Sequence, residues 1–292
     1  MYELIQVAEH SYYMDCPAKV GFYKTGPDEV VLIDSGSDKD AGKKVKKILD
    51  GQGWKVWAIF NTHSHADHTG GNQYLQAQTG CKVYAPALEN CVVEHPVFEP
   101  TMLYGGKAMK DLQNKFLMAK ESVSSVLTDE VLPEGLEIIN LPGHSYDMVG
   151  FKSQDNVIYL ADCLSSEETL EKYQIGFLYD VKAYIETLEM VKSLEADYFV
   201  PSHAEVTDNI ASLAQINIDK TLDIASAITD IVSEAKAFED ILAEVFAKYG
   251  LTMNLQQNVL IGSTVKSYLS YLKDEDRIEY FFDNNKMLYR AK

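Results

Sequence analysis

The stretch Phe60–Asn72, FNTHSHADHTGGN, packs His63, His65, Asp67 and His68 into six residues of a 292-residue chain that has seven histidines in all. His63 and His65 are two apart, so on an extended segment their rings leave on the same side and can close on one point. Asp67 and His68 follow where a turn into a helix can aim them at a second point nearby. Imidazole with carboxylate is a donor set for zinc, and it also suits iron or manganese.

The flanks show where the cluster sits. KVWAIFNTH (Lys55 to His63) reads as a strand, and GNQYLQAQTG as a helix ending at Gly80. Upstream, VVLIDSG is a strand closed by Asp34 and a glycine. It is followed by a helix with Ala41, Val45, Ile48 and Leu49 on one face. Downstream come the strand KVYAPA and an irregular segment, residues 95–125, with one expected helix. Strand-like runs return at GLEIINLPGH, MVGFKS and NVIYLADC, and the helix VKAYIETLEMVKSLEA precedes the strand DYFVPSH. Each of these later strand ends offers a further ligand: His144 after a Pro-Gly turn, Asp162 closing an apolar strand, and His203. Only His10 and His95 are left over.

After Glu205 the pattern becomes nearly continuous helix, with an expected apolar stripe of Ile210, Leu213, Ile216, Ile224, Ile228 and Ile231. Two shorter helices are expected near Phe238 to Tyr249 and Leu255 to Leu272, then a hairpin turning at Asp283 to Asn285. That succession resembles a winged-helix unit. The expected division is residues 1–206, bearing the site, and residues 207–292, mainly helical.

The motifs THSHADH, PGHS, LADC and PSHAEV occur in the order and at the separations of the metallo-β-lactamase-fold superfamily, which the chain resembles over residues 1 to about 206. The resemblance implies an α/β fold, a four-layer αββα sandwich with the site along one edge. It also implies a ligand set: His63, His65 and His144 on one metal, Asp67, His68 and His203 on the other, and Asp162 bridging. Asp34 occupies the position of a family aspartate that supports the ligands. Two departures lie in the loops. Tyr146 and Asp147 stand where the family often has Pro-Gly, and Pro201, Ser202, His203, Ala204 stand where it often has Pro-Gly-His-Gly. Tyr146 could donate a hydrogen bond to a substrate oxyanion or pack on the sheet edge. Cys163, next to Asp162 on an alternating strand, is expected to face the core.

Two such cations can generate a hydroxide at neutral pH and polarise a carbonyl or phosphoryl oxygen. The expected activity is therefore hydrolysis of a small ester, thioester, lactone or amide, similar to hydroxyacylglutathione hydrolases, with Asp67 orienting the nucleophile and accepting its proton. Alternatives of the same fold are a phosphodiesterase or nuclease, and an oxygen-reducing di-iron protein. The latter relatives carry glutamate where this chain has His65, which favours hydrolysis.

Composition narrows the partners. A net charge of -18 and a pI near 4.7 count against nucleic acid, which is bound largely through Lys and Arg. Residues 236–292 hold eight Lys or Arg and eight Asp or Glu, and the helix near 255–272 has one basic residue, Lys266. That is a poor footprint for a DNA-binding regulator, and a small-molecule substrate fits better. The apolar faces of the C-terminal helices need cover from the site-bearing region or from a second subunit, so a homo-oligomer stays open. Four scattered cysteines without a C-x-x-C pair, no apolar run of membrane-spanning length, and an N-terminus unlike a secretion signal lead to the expectation of a cytoplasmic protein with reduced thiols.

Overall fold

A computed structural model of the chain describes residues 2–292. Seven strands form the first sheet in sequence order: β1 (Glu3–Gln6), β2 (Ser11–Asp15), β3 (Val20–Lys24), β4 (Glu29–Ile33), β5 (Lys55–Phe60), β6 (Lys82–Ala85) and β7 (Ser125–Val126). It is antiparallel from β1 to β4 and parallel from β4 to β7. The parallel steps need crossovers. These are supplied by α1 (Lys39–Gln52), by α2 (Ala66–Thr69) with α3 (Asn72–Thr79), and by the segment containing α4 (Ala87–Glu94) and α5 (Phe98–Tyr104). The second sheet has the order β11 (Tyr198–His203), β10 (Val157–Ser165), β9 (Val149–Ser153), β8 (Leu136–Asn140). The helices α6 (Glu167–Tyr173) and α7 (Val181–Val191) lie between β10 and β11 in sequence.

Strand alternation sorts the side chains into layers. On β4, Val30 and Leu32 face Val45 and Leu49 of α1 and Leu75 of α3. Val31 and Ile33 instead join Phe60, Phe151, Tyr159 and Val200 between the sheets. On β10, Val157 and Tyr159 enter that middle layer, while Ile158 and Leu160 turn outward to Leu188 of α7 and Ile218 and Ile224 of the next helix. The result is the expected αββα order.

That next helix, α8 (Ala211–Ile231), is followed by β12 (Lys236–Ala237), α9 (Phe238–Lys248), α10 (Leu255–Asp274), β13 (Ile278–Asp283) and β14 (Lys286–Ala291). The last strands form a small sheet in the order β12-β14-β13, turning at Asn284 and Asn285, both at positive φ (47° and 61°), as a tight two-residue hairpin requires. One continuous buried cluster joins α7 and β10 to α8, α9 and α10. No helix among the described residues is long and apolar enough to cross a membrane.

Two expectations are corrected. The stripe of α8 holds at Ile210, Ile224, Ile228 and Ile231, but in its first turns the inward face carries Ala214 and Ile218, with Asn217 and Thr221 also buried, while Leu213 and Ile216 are half-buried. Residues 95–125 hold the single helix expected there, α5, and a 3-10 turn at Lys110–Leu112, with α4 ahead of them. Asp162 does not close its strand: β10 runs on to Ser165, and Asp162 follows a bulge at Ala161, whose φ is 51°. A bulge re-aims the side chain next to it.

Candidate metal centre

The structure brings the seven expected residues together in two groups: His63, His65 and His144, and Asp67, His68, Asp162 and His203. Within each, one ligand atom per residue lies within 4.8 Å of every other. His65 Nδ1 is 3.0 Å from both His63 Nε2 and His144 Nε2. In the second group His203 Nε2 is 3.0 Å from Asp162 Oδ2 and 3.4 Å from Asp67 Oδ2, and His68 Nε2 is 3.1 Å from Asp162 Oδ1. Asp162 Oδ2 also lies 3.6 Å from His144 Nε2, so this carboxylate stands between the groups.

The rings are held from behind. Asp34, buried and at φ 64°, accepts from the Thr62 backbone N–H and hydroxyl and from His68 Nδ1, each at 2.8 Å. Because the Thr62 hydroxyl donates to Asp34, it accepts from His63 Nδ1 at 2.9 Å, which turns the Nε2 lone pair of His63 inward. His203 Nδ1 donates to the Pro17 carbonyl at 2.8 Å with the same effect. Such outward hydrogen bonds fix the tautomer of a ligating imidazole.

The loop itself depends on Gly70 and Gly71. A Cβ on them would lie 2.3 Å from Ser37 O and 2.2 Å from Ser35 O. Gly143, at φ 123°, brings the His144 loop equally close to the backbone of Tyr184.

Electrostatics divides the two groups. Burial, with the neighbouring imidazoles, holds His63 well below the ordinary histidine pKa. Burial also brings His65 and His144 down to about 4, so all three are neutral. Burial acts the same way on His68 and His203, but Asp162 and Asp67 outweigh it, lifting His68 well above its ordinary value and His203 to about 10. Against burial, deep for Asp162 and partial for Asp67 at the rim, the imidazoles hold both carboxyls below the carboxylate range. The carboxylates thus call for positive charge where the imidazole nitrogens converge, and protons supply it when nothing else does. Among the described residues His68 Nε2 and Asp162 Oδ1 are buried without a hydrogen-bond partner, the signature of groups aimed at a common absent atom. Neutral imidazoles, anionic carboxylates and orphaned inward atoms fit divalent cations.

Sequence reasoning missed several residues that shape this site. Glu89, fully buried on α4, accepts from the Ser64 N–H at 3.0 Å and from the Ser145 hydroxyl at 2.5 Å, tying the His63–His65 loop to the His144 loop. Asp147 explains one loop departure, since its carboxylate accepts from Leu88 N and Glu89 N at the start of α4. Asn217 of α8 grips Ser165, just past Asp162, through both backbone groups at 2.9 Å. The Phe177 ring meets His65 and His144 edge-on at 5.2 and 5.9 Å. Glu99 of α5 is buried, with Oε1 3.7 Å from His65 Nε2; burial, with Glu89 and Asp67, pushes its carboxyl up to about 8. The Tyr146 hydroxyl is taken by Met102 Sδ and its ring lies 4.5 Å from Tyr179, so it stands at the wall rather than free in the cleft. Cys163 is in the core, as alternation requires. A recess of about 70 Å³ runs from His144 and Asp162 past Phe177 to Asn217, Thr221 and Tyr268.

Comparison with known proteins agrees with this geometry. The family model described as Metallo-beta-lactamase superfamily matches residues 14–203. A hydroxyacylglutathione hydrolase of Maricaulis maris is 44% identical over 68 residues, 23% of this chain and 25% of that protein. One of Rhodopseudomonas palustris is 31% identical over 121 residues, 40% of this chain and 38% of that protein. The chain therefore spans well under half the length of these curated relatives. A metallo-beta-lactamase family protein from Thermus thermophilus shares the fold end to end, with a TM-score of 0.72 at 15% identity over 99% of this chain and 98% of that one. With the match running from β2 to the end of β11 and containing every residue of both groups, the chain belongs to the metallo-beta-lactamase superfamily.

Proposed function

We propose that the protein is a hydrolase of a small ester, thioester, lactone or amide that works with two divalent metal ions. The observation that carries this reading is the pair of orphaned buried atoms, His68 Nε2 and Asp162 Oδ1, facing one point beside three neutral imidazoles. His63, His65 and His144 would hold one ion, Asp67, His68 and His203 the other, with Asp162 shared. Zinc is the ion this donor set suits best, and iron or manganese would also be accepted. When bound, such a pair lowers the pKa of a water and polarises the oxygen of the scissile group.

The chain's own residues supply the rest. Asp67, whose side chain is 44% exposed at the rim, orients a water and takes its proton at the carboxylate. Asp34 and Thr62 keep the rings of His68 and His63 from turning. Phe177 keeps water off the outer faces of His65 and His144. The recess beyond His144 receives a small acyl group. Within this class a thioester is favoured by relatives named hydroxyacylglutathione hydrolase. A cytoplasmic setting accords with four free cysteines, three of them buried.

The test is turnover of a panel of thioesters, esters, lactones, β-lactams and phosphodiesters by zinc-loaded protein. Cleavage of acyl substrates is expected. Cleavage of phosphodiesters alone would move the reading to a nuclease or phosphodiesterase, and inertness toward the whole panel would contradict hydrolysis.

A further inference from the structure

We propose that Glu99 is a positioning residue for His65: it accepts the outward Nε2–H of that ring and thereby sets the metal affinity of the His63, His65, His144 group. The inference rests on the two-metal reading above and adds to it a residue contributed by the segment between β6 and β7.

The ring of His65 is oriented by what faces it. Its Nδ1 lies 3.0 Å from two other imidazole nitrogens, so the lone pair is on Nδ1 and the proton on Nε2. A ligating histidine ordinarily gives that outer proton to a carboxylate, carbonyl or water. His63 has Thr62 in this role, His68 has Asp34, and His203 has the Pro17 carbonyl. For His65 the facing group is Glu99 Oε1, 3.7 Å from Nε2. A hydrogen bond ordinarily spans about 2.9 Å, so the two groups face each other at ion-pair distance and the bond itself is part of the proposal.

Glu99 is an odd residue unless it has this task. Its side chain is 9% exposed, and no hydrogen bond reaches its carboxylate among the described residues; burial and the nearby charges of Glu89 and Asp67 are what act on it. A carboxyl set without a partner in a largely buried wall is unfavourable, and an apolar side chain would serve packing better. The carboxyl is nevertheless held over the site, because α5 is anchored from its other side. Leu103 of α5 packs with Leu112 and Leu117 of the same segment and Val259 of α10, and Met102, Phe177 and Leu260 close around them. This links the covering segment and the C-terminal helices to the metal ligands.

The experiment is zinc titration of metal-stripped full-length protein in competition with a chromophoric chelator, for the parent, Glu99→Leu and Glu99→Gln. The thermal midpoint of each metal-free protein is measured alongside. The expected result is two ions in the parent and, in Glu99→Leu, a roughly 10- to 100-fold loss at one site with the other unchanged. Glu99→Gln, which keeps an acceptor oxygen, should retain most of the affinity. Equal weakening at both sites with a lowered midpoint would mean a general packing role and overturn the inference. So would unchanged affinity in Glu99→Leu, or a Glu99→Gln as weak as Glu99→Leu. Two ions bound with parental affinity in every variant would overturn the role of Glu99 alone, whereas a parent that binds none would overturn the metal reading with it.

Discussion

Asp162 Oδ1 lies 3.1 Å from His68 Nε2, and neither of these buried atoms has a hydrogen-bond partner among the described residues. The two atoms meet at ion-pair distance without hydrogen-bond geometry, the arrangement of two ligands converging on one ion. Through its other oxygen the same carboxylate reaches His203 and His144, so one side chain touches both ligand groups.

Asp162→Ala is therefore expected to lower occupancy of both metal positions, whereas His63→Ala should spare the Asp67, His68, His203 group. Elemental analysis after dialysis checks this. Loss of a single ion from Asp162→Ala would mean that the carboxylate serves only one group.

Metal removal should expose a pH dependence of stability. His203 at about 10 and His68 above its ordinary value stabilise the metal-free fold fully below the unfolded imidazole pKa, about 6.5, and that contribution is lost as pH rises through their folded values. His65 and His144 at about 4 act oppositely. Between about 4 and 6.5 the unfolded chain binds protons that the folded rings refuse, so stability falls as pH falls. The thermal midpoint of chelator-treated protein should thus peak near pH 6.5, and zinc should flatten the alkaline side. A midpoint constant from about pH 6.5 to 10 without metal would contradict the assignment.

Much of this site was legible because its residues lie where strand and turn signals are strongest. THSHADH follows a six-residue strand, and HTGG carries glycines that nothing larger can replace. The glycine closing α3 and the Asn-Asn turn of the last hairpin were equally plain. What stayed hidden depends on contacts across the chain. Glu89 meets Ser145 56 residues away, and Asn217 reaches Ser165 over 52. No local pattern announces such pairs. The bulge at Ala161 was hidden for a different reason: an alanine at positive φ has no sequence signature, so Asp162 read as a strand end. The α8 stripe held at Ile210, Ile224, Ile228 and Ile231 and failed only at Leu213 and Ile216, because small and polar residues, Ala214, Asn217 and Thr221, face inward where close packing and a grip on β10 matter more than apolar bulk.

Gly71→Ala should destabilise the fold by about 1–3 kcal/mol, the usual scale of overpacking, because the added methyl meets the Ser35 carbonyl at 2.2 Å. Gly51→Ala on α1, with open space around it, should be neutral or stabilising by up to about 1 kcal/mol. Urea midpoints of the two variants check the contrast. Equal effects would show that the 35–38 loop yields freely.

Asp67→Asn retains an oxygen but not the charge or the proton acceptor. At matched metal content, kcat/KM for an acyl substrate should fall about a hundredfold or more, the scale of general acid–base catalysis. A variant carrying two ions and turning over at the parent rate would leave Asp67 with a structural role only.

Titration of metal-stripped protein with zinc, with hydrolysis of a small thioester followed throughout, tests whether two bound ions make this chain a hydrolase. Negligible hydrolysis is expected without metal, and a rate that rises to a plateau at two equivalents per chain. A rate independent of zinc, or no hydrolysis of this or any other acyl substrate with two ions bound, would contradict it.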